Sequence, residues 1–225
     1  MNLSLPVSEL QDYLVRQMAH FFPDGQDTKA EVRRAFSQAL ERQEYCFSHI
    51  SVPGYTKDGA PYFSHMHSDQ YSSFLYYLAN SLWKMGGDER VCSKLVVLNR
   101  ALHGCWMSYK GVLPDIFVLV HPVGTVLGNA SYGDYLVVLQ NVTVNTARDE
   151  DGGAAPHLGR RLILFAGAKI IGNQTVGDNV TIGVDAVVHK RQIPSNTLVY
   201  RDEMGQIRMK SHTERPYFYD YFKKE

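Results

Sequence analysis

Residues 158–188 read LGRRLILFAGAKIIGNQTVGDNVTIGVDAVV, and stepping through them by six from Leu158 meets Leu164, Ile170, Val176, Ile182 and Val188. Every one is apolar. Residues 120–144, VHPVGTVLGNASYGDYLVVLQNVTV, repeat the pattern from Val120 through Val126, Tyr132, Val138 and Val144. A second column, four places on, holds mostly small or apolar residues, among them Ala130, Leu136, Val142, Leu162, Ala168, Val180 and Ala186. Only Gln174 and Gln192 break it. One place before it stand Val123, Asn129, Tyr135, Asn141, Arg161, Gly167, Asn173, Asn179, Asp185 and Arg191, rich in the residues that tolerate a positive φ. Neither a helix nor a hairpin has period six. The spacing predicts short strands, each pointing one apolar side chain inward and turning a corner through a left-handed residue, with three strands to a coil and neighbouring coils burying each other's cores.

Working outward, Val144 and Leu158 are 14 apart, and the insert NTARDEDGGAAPH between them is read as an exposed loop thrown out of the coil wall. Upstream, apolar residues recur at three and four. Leu10, Leu14, Met18 and Phe21 make one stripe, Leu75, Leu78 and Leu82 another, and Leu95, Leu98, Leu102 and Trp106 a third. Pro23-Asp24-Gly25, Pro53-Gly54 and Gly86-Gly87 separate amphipathic helices whose stripes are read as core. Downstream, IPSNTLVY closes the last coil, Gly205 turns the chain before a strand IRMK, and TERPYFYDYFKKE is an aromatic tail that packs across a neighbour or hangs free. The expected organisation is α+β: a helical domain at 1–113, a parallel β-helix at 114–200, and a C-terminal strand and tail at 201–225.

Composition bounds the function. The chain has 225 residues, 44% hydrophobic and 20% charged, which excludes disorder for its bulk. Lys+Arg and Asp+Glu balance at 23 each, so no global basic field invites nucleic acid. No apolar run reaches about 18 residues and the first residues lack a signal-peptide pattern, so a soluble cytoplasmic protein without membrane insertion is expected. Cys46, Cys92 and Cys105 have no CxxC spacing and read as reduced packing thiols.

The stretch 121–188 resembles the catalytic half of the serine acetyltransferase family. A histidine is followed by a glycine three on, then by the LQNVT strand before the loop, then by AGAKIIGNQTVGDNVTIGVDAVV and the closing IPSNT. DQYS at 69–72 resembles a further family motif. The resemblance implies a left-handed β-helix and acetyl transfer from acetyl-CoA to a small acceptor, at a cleft between subunits of a homotrimer or dimer of trimers. It places His121 on the catalytic histidine and His157 near a second active-site histidine. Ala166 and Val184 fall on positions lining CoA, and Asn145 falls on the first glycine after the LQNVT strand, grouped here with the cofactor side. Departures concern the acceptor. Val120 replaces an aspartate before the catalytic histidine, Pro156 an arginine, and His65 a second substrate-binding aspartate. The acceptor is therefore left open between serine and a sugar hydroxyl or amine of surface-glycan synthesis.

A thioester is already activated, so the enzyme has only to take a proton from the acceptor and stabilise an oxyanion. One histidine base suffices, with no metal. Asp115, or else Asp134, is a candidate to orient the ring of His121. His157 is read as binding the acceptor or the oxyanion, His65 and Asp69 as lining an acceptor pocket, with a helix N-cap as the other account of Ser68-Asp69. Lys190 and Arg191 are candidates for the CoA 3′-phosphate. Two other classes stay open: a metal enzyme like the γ-type carbonic anhydrases, through His121, His157 and His189, and a non-catalytic scaffold. The first needs a close histidine pair, and the position five after His157 is Leu162.

Overall fold

The computed structural model describes residues 1–144, 155–212 and 217–224. The chain divides into two compact units, Met1–Ser48 with Pro53–Lys110, and His49–Val52 with Gly111–Glu225.

The first unit is mostly helical. Helices α1 (Val7–Phe21), α2 (Lys29–Ser48), α3 (Ser68–Lys84) and α4 (Glu89–His103) are separated by the proline and glycine breakers, as their spacing predicts. A small sheet joins β1 (Asn2–Leu3), β3 (Ala60–Phe63) and β2 (Thr56–Lys57), in that order, and β4 (Trp106–Met107) follows α4. Leu10, Leu14, Met18, Leu75, Leu78, Leu82, Leu95 and Leu98 are all buried. Three stripe members are not: Phe21, Leu102 and Trp106 are exposed, because α1 ends at Phe21 and the buried face of α4 rolls on to Asn99 and His103. Asp88 caps α4 by accepting the N–H of Arg90, and Gly104 ends it at φ 65. None of the three cysteines forms a disulfide among the described residues, and all three are buried. Among the described residues, no helix is long and apolar enough to cross a membrane.

The second unit is a coil of three parallel sheets. Strands β5 (Phe117–Leu119), β6 (Val126–Leu127), β7 (Ser131–Tyr132), β8 (Leu136–Val138), β9 (Thr143–Val144) and β10 (His157–Leu158) are followed by β11 (Ile163–Leu164), β12 (Lys169–Ile171), β13 (Thr175–Val176), β14 (Thr181–Ile182) and β15 (Val187–His189). Successive strands visit the three sheets in rotation: β5, β8, β11 and β14 in the first, β6, β9, β12 and β15 in the second, β7, β10 and β13 in the third. Pairings advance by 18 residues, Ile163 to Thr181 and Lys169 to Val187, which is three strands of six. A final hairpin, β16 (Thr197–Arg201) with β17 (Ile207–Ser211), adds β16 in parallel to β14 and turns through Gly205 at φ 75.

The inward column holds from Val138 to Val188 and slips in the first coil. Leu119 pairs with Val138 and Leu127 with Val144, so Leu119 and Leu127 are the buried residues there, in place of Val120 and Val126. The corner between them therefore carries two more residues than the corner between Val138 and Val144. Six of the ten forecast left-handed positions have a positive φ: Tyr135, Asn141, Arg161, Gly167, Asn179 and Asp185. At three others the positive φ belongs to the preceding or following residue, namely Gly124, Gly172 and Lys190. Gly167 is required for space as well as φ, because an added Cβ would collide with the carboxylate of Asp185 one coil on.

The aromatic tail does not hang free. Phe218 and Phe222 are buried within the second unit, their rings meeting that of Tyr135, and Phe222 bridges to Ile50. The guanidinium of Arg161 lies 5.0 Å from the centre of the Phe218 ring. On the outside of the first sheet, Val137, Ile163 and Thr181 are buried although alternation turns them outward.

Candidate active site

His121 stands at the corner that leads from β5 in the first sheet to β6 in the second. It has φ 49 and is exposed. The two extra residues of this first corner explain both properties. The chain makes a tight loop in which Val123 N–H donates to the His121 carbonyl at 2.7 Å and Thr125 N–H to that of Pro122 at 3.1 Å. The imidazole is thus presented at a left-handed corner. Thr125 ties the loop to the next coil, its hydroxyl donating to the Leu139 carbonyl at 2.8 Å.

The same corner recurs in each coil. Asp185 N–H donates to the Ala166 carbonyl, Gly167 N–H to that of Gln140 and Asn141 N–H to that of Val123, so Val184, Ala166, Gln140 and Val123 stack at this corner, and His121 stands two residues before Val123 in its enlarged first turn. At about 4.8 Å between neighbouring strands, Ala166 lies about 10 Å along the stack from His121, and Val184 about 14 Å. Val184 is 58% exposed and Ala166 half-buried, with the Ala166 carbonyl accepting the N–H of Asp185 at 2.9 Å. Three of the sequence-predicted positions therefore share one edge of the coil.

Lys190 and Arg191 are exposed at the next corner, past β15 on the far side of the second sheet. Asp115 is exposed, and its N–H and that of Ile116 donate to one carboxylate oxygen of Asp134, at 3.0 and 3.2 Å. The two acids considered for orienting His121 are thereby joined to each other through the backbone. Asn145 lies outside the described residues, as does the excursion from 145 to 154.

His157 corrects the expectation of a loop histidine. It lies in β10 of the third sheet, paired with Ser131 of β7 and Thr175 of β13, so the excursion ends before it. Its side chain points outward and its Nδ1 is 2.6 Å from the Ser131 hydroxyl oxygen. Sequence reasoning missed Ser131. Ordinary pairings in the coil span 18 residues, but this one spans the excursion and joins 131 to 157, so hexapeptide counting passes over it. The third sheet is the face opposite the corner of His121, so a single coil does not bring the two histidines together. His189 ends β15 on the second sheet, apart from both. Among the described residues, no three His, Cys, Asp or Glu side chains converge as metal ligands would.

His65 and Asp69 belong to the first unit. The His65 Nδ1 is 2.8 Å from the Ser4 hydroxyl, whose oxygen also accepts the His65 N–H at 3.0 Å, and its ring meets Tyr13 edge-on at 5.0 Å. Asp69 is buried in the first turn of α3, 3.3 Å from the Ser68 hydroxyl, where its charge favours the helix N-terminus. The cap position is His67, which makes no side-chain capping bond, so neither Ser68 nor Asp69 is the cap.

No family model matches the chain. It is 35% identical over 103 residues to a serine acetyltransferase of Synechococcus elongatus, covering 45% of this chain and 42% of the relative. It is 32% identical over 124 residues to that of Mycobacterium tuberculosis, covering 54% and 53%. The chain thus spans about half the length of the curated relatives it matches. Among solved structures it shares the fold of a serine acetyltransferase bound to cysteine, with TM-score 0.74 and 16% identity over 96% of this chain and 84% of that one. The enzyme from Vibrio cholerae superposes with TM-score 0.68 at 22% identity, over 84% and 73%. Similarity to serine acetyltransferases is carried by sequence over half the chain and by fold over nearly all of it.

Proposed function

We propose that this protein transfers acetyl from acetyl-CoA to the hydroxyl of a small acceptor, with His121 as general base. The observation that carries the reading is the single corner shared by His121, Ala166 and Val184. Along it a pantetheine arm can run from the thioester beside His121 past the backbone of Ala166 toward the exposed Val184. The ring of His121 takes the acceptor proton as the acceptor oxygen attacks the thioester carbon. The tetrahedral oxyanion collapses, the C–S bond breaks, and the proton passes to the leaving thiolate. Acetyl-CoA is a co-substrate in this scheme and no metal takes part in it.

The coil is read as left-handed, in line with the resemblance to the serine acetyltransferases. A homotrimer, or a dimer of trimers, accounts for a further feature of the site. His121 and His157 occupy opposite sides of one coil, so an active site using both takes one from each of two chains. Cytoplasmic location goes with this reading. The acceptor is serine, gripped without the aspartates replaced by Val120 and His65, or a sugar hydroxyl or amine.

The deciding experiment is thiol release from acetyl-CoA with L-serine, other amino acids, and nucleotide sugars bearing free hydroxyls or amines. Release with serine assigns serine O-acetylation. Release with a sugar alone assigns the replaced aspartates to a change of acceptor. A chain that binds acetyl-CoA and releases no thiol with any acceptor refutes the panel's acceptor classes, and one that does not bind it refutes the proposal.

A further inference from the structure

Ser131 and His157 form a side-chain pair on the outer face of the third sheet, 2.6 Å between hydroxyl oxygen and Nδ1, with both residues exposed. Their strands are in register, so the contact is held by the backbone ladder on both sides. Ser131 N–H donates to Pro156 and Gly133 N–H to Leu158, while His157 N–H donates upward to Gln174. A pair fixed in this way controls which ring nitrogen carries the proton, because a neutral imidazole has one N–H and one bare nitrogen.

Two arrangements fit the contact: the hydroxyl donates to a bare Nδ1, or it accepts from Nδ1–H. A neutral histidine side chain intrinsically favours the tautomer with its proton on Nε2, which leaves Nδ1 bare. The first arrangement matches that preference, with the Ser131 hydroxyl oxygen 2.6 Å from Nδ1 to donate to it. We infer that Ser131 is a positioning residue that holds His157 as its Nε2–H tautomer, aiming a hydrogen-bond donor away from the coil. A neutral histidine fixed this way cannot take a proton through its outward nitrogen. It can donate to an oxygen, either an acceptor's hydroxyl or carboxylate or the oxyanion formed from the thioester. The two histidines are thereby divided in role: His121 is left as the base and His157 becomes a donor. This deepens the acetyl-transfer reading and rests on it for the identity of the oxygen.

The test uses the full chain labelled with ¹⁵N in histidine, at a pH where His157 is neutral, with two-bond ¹H–¹⁵N correlation reading its tautomer. Wild type is expected to show His157 as Nε2–H, Ser131→Ala to show a mixture, and Ser131→Thr, which keeps the hydroxyl, to restore the wild-type pattern. In the thiol-release assay Ser131→Ala is expected to lower kcat about tenfold with KM for acetyl-CoA unchanged, and Ser131→Thr to recover it. An Nδ1–H tautomer in wild type, or an unaltered tautomer in Ser131→Ala, overturns the inference. A shifted tautomer with wild-type kcat overturns the role of Ser131 in the reaction. A shifted tautomer in a protein that transfers acetyl to no acceptor upholds the pairing and overturns the acetyl-transfer reading instead.

Discussion

The ring of Phe222 stands edge-on to that of Tyr135, their centroids 5.3 Å apart and their planes at 87°. Tyr135 holds a left-handed corner of the coil at φ 65, and Phe218 meets the same ring at 5.4 Å. The tail therefore belongs to the core of the second unit. Phe222→Ala is expected to cost about 3 to 5 kcal/mol of stability, as for other fully buried aromatics. Because Phe218 and Phe222 also stack on each other at 5.2 Å, Phe218→Ala and Phe222→Ala should combine to less than the sum of their separate costs. Urea denaturation of the two single variants and the double variant measures this, and full additivity would show that the rings act independently.

Replacing His121 by Ala should lower thiol release at least 100-fold, within the range for a general base, while acetyl-CoA affinity measured by calorimetry stays within about twofold. Retained turnover would remove His121 from the chemistry.

A charge placed on the shared corner should interfere with the cofactor alone. Val184→Glu sets a carboxylate at an exposed position where acetyl-CoA, itself an anion, is expected to lie, and KM for acetyl-CoA should rise about tenfold, about 1.4 kcal/mol. Met204→Glu, at an exposed site in the final hairpin turn, should leave it unchanged. Equal KM values for both variants would move the cofactor off this edge.

Asp134 ties its coil to the segment leading into β5, by accepting the N–H groups of Asp115 and Ile116, so Asp134→Ala should destabilise the second unit by about 1 to 2 kcal/mol. If Asp115 orients His121, Asp115→Ala should lower kcat with little loss of stability. A kcat unaffected by Asp115→Ala would leave the orienting role to another group.

Burial pushes the His103 imidazole down to about 4, outweighing the opposing charge of Asp69 and the bond to Asn99. The folded pKa is thus below the unfolded value of about 6.5, so the unfolded chain binds the extra proton. Stability is full above about pH 6.5 and is lost as pH falls toward 4, by about 2 to 3 kcal/mol. His103→Gln cannot titrate, so its stability should fall less than wild type across that window. Parallel pH profiles in chemical denaturation would show that His103 does not contribute.

The period of six, the apolar column and the small or amide-bearing corners were legible in the sequence because a coil stacks residue on residue at a constant interval. Burying Leu164 against Ile182 one coil on is a local rule repeated, and the helical stripes of α1 and α3 follow in the same way from 3.6 residues per turn. The identity of His121, Ala166 and Val184 as candidates came with the family pattern laid on that repeat. What counting could not supply was register wherever the interval changes. Two extra residues in the first corner moved the buried positions to Leu119 and Leu127 and turned His121 through a left-handed φ. The excursion before β10 hid the pairing of His157 with Ser131, since backbone hydrogen bonds between coils, not the spacing along the chain, set which residues stand side by side. The tail was illegible for a related reason: its aromatic residues have no period, and only the meeting of Phe218 and Phe222 with each other and with Tyr135, far away in the chain, decides where they bury.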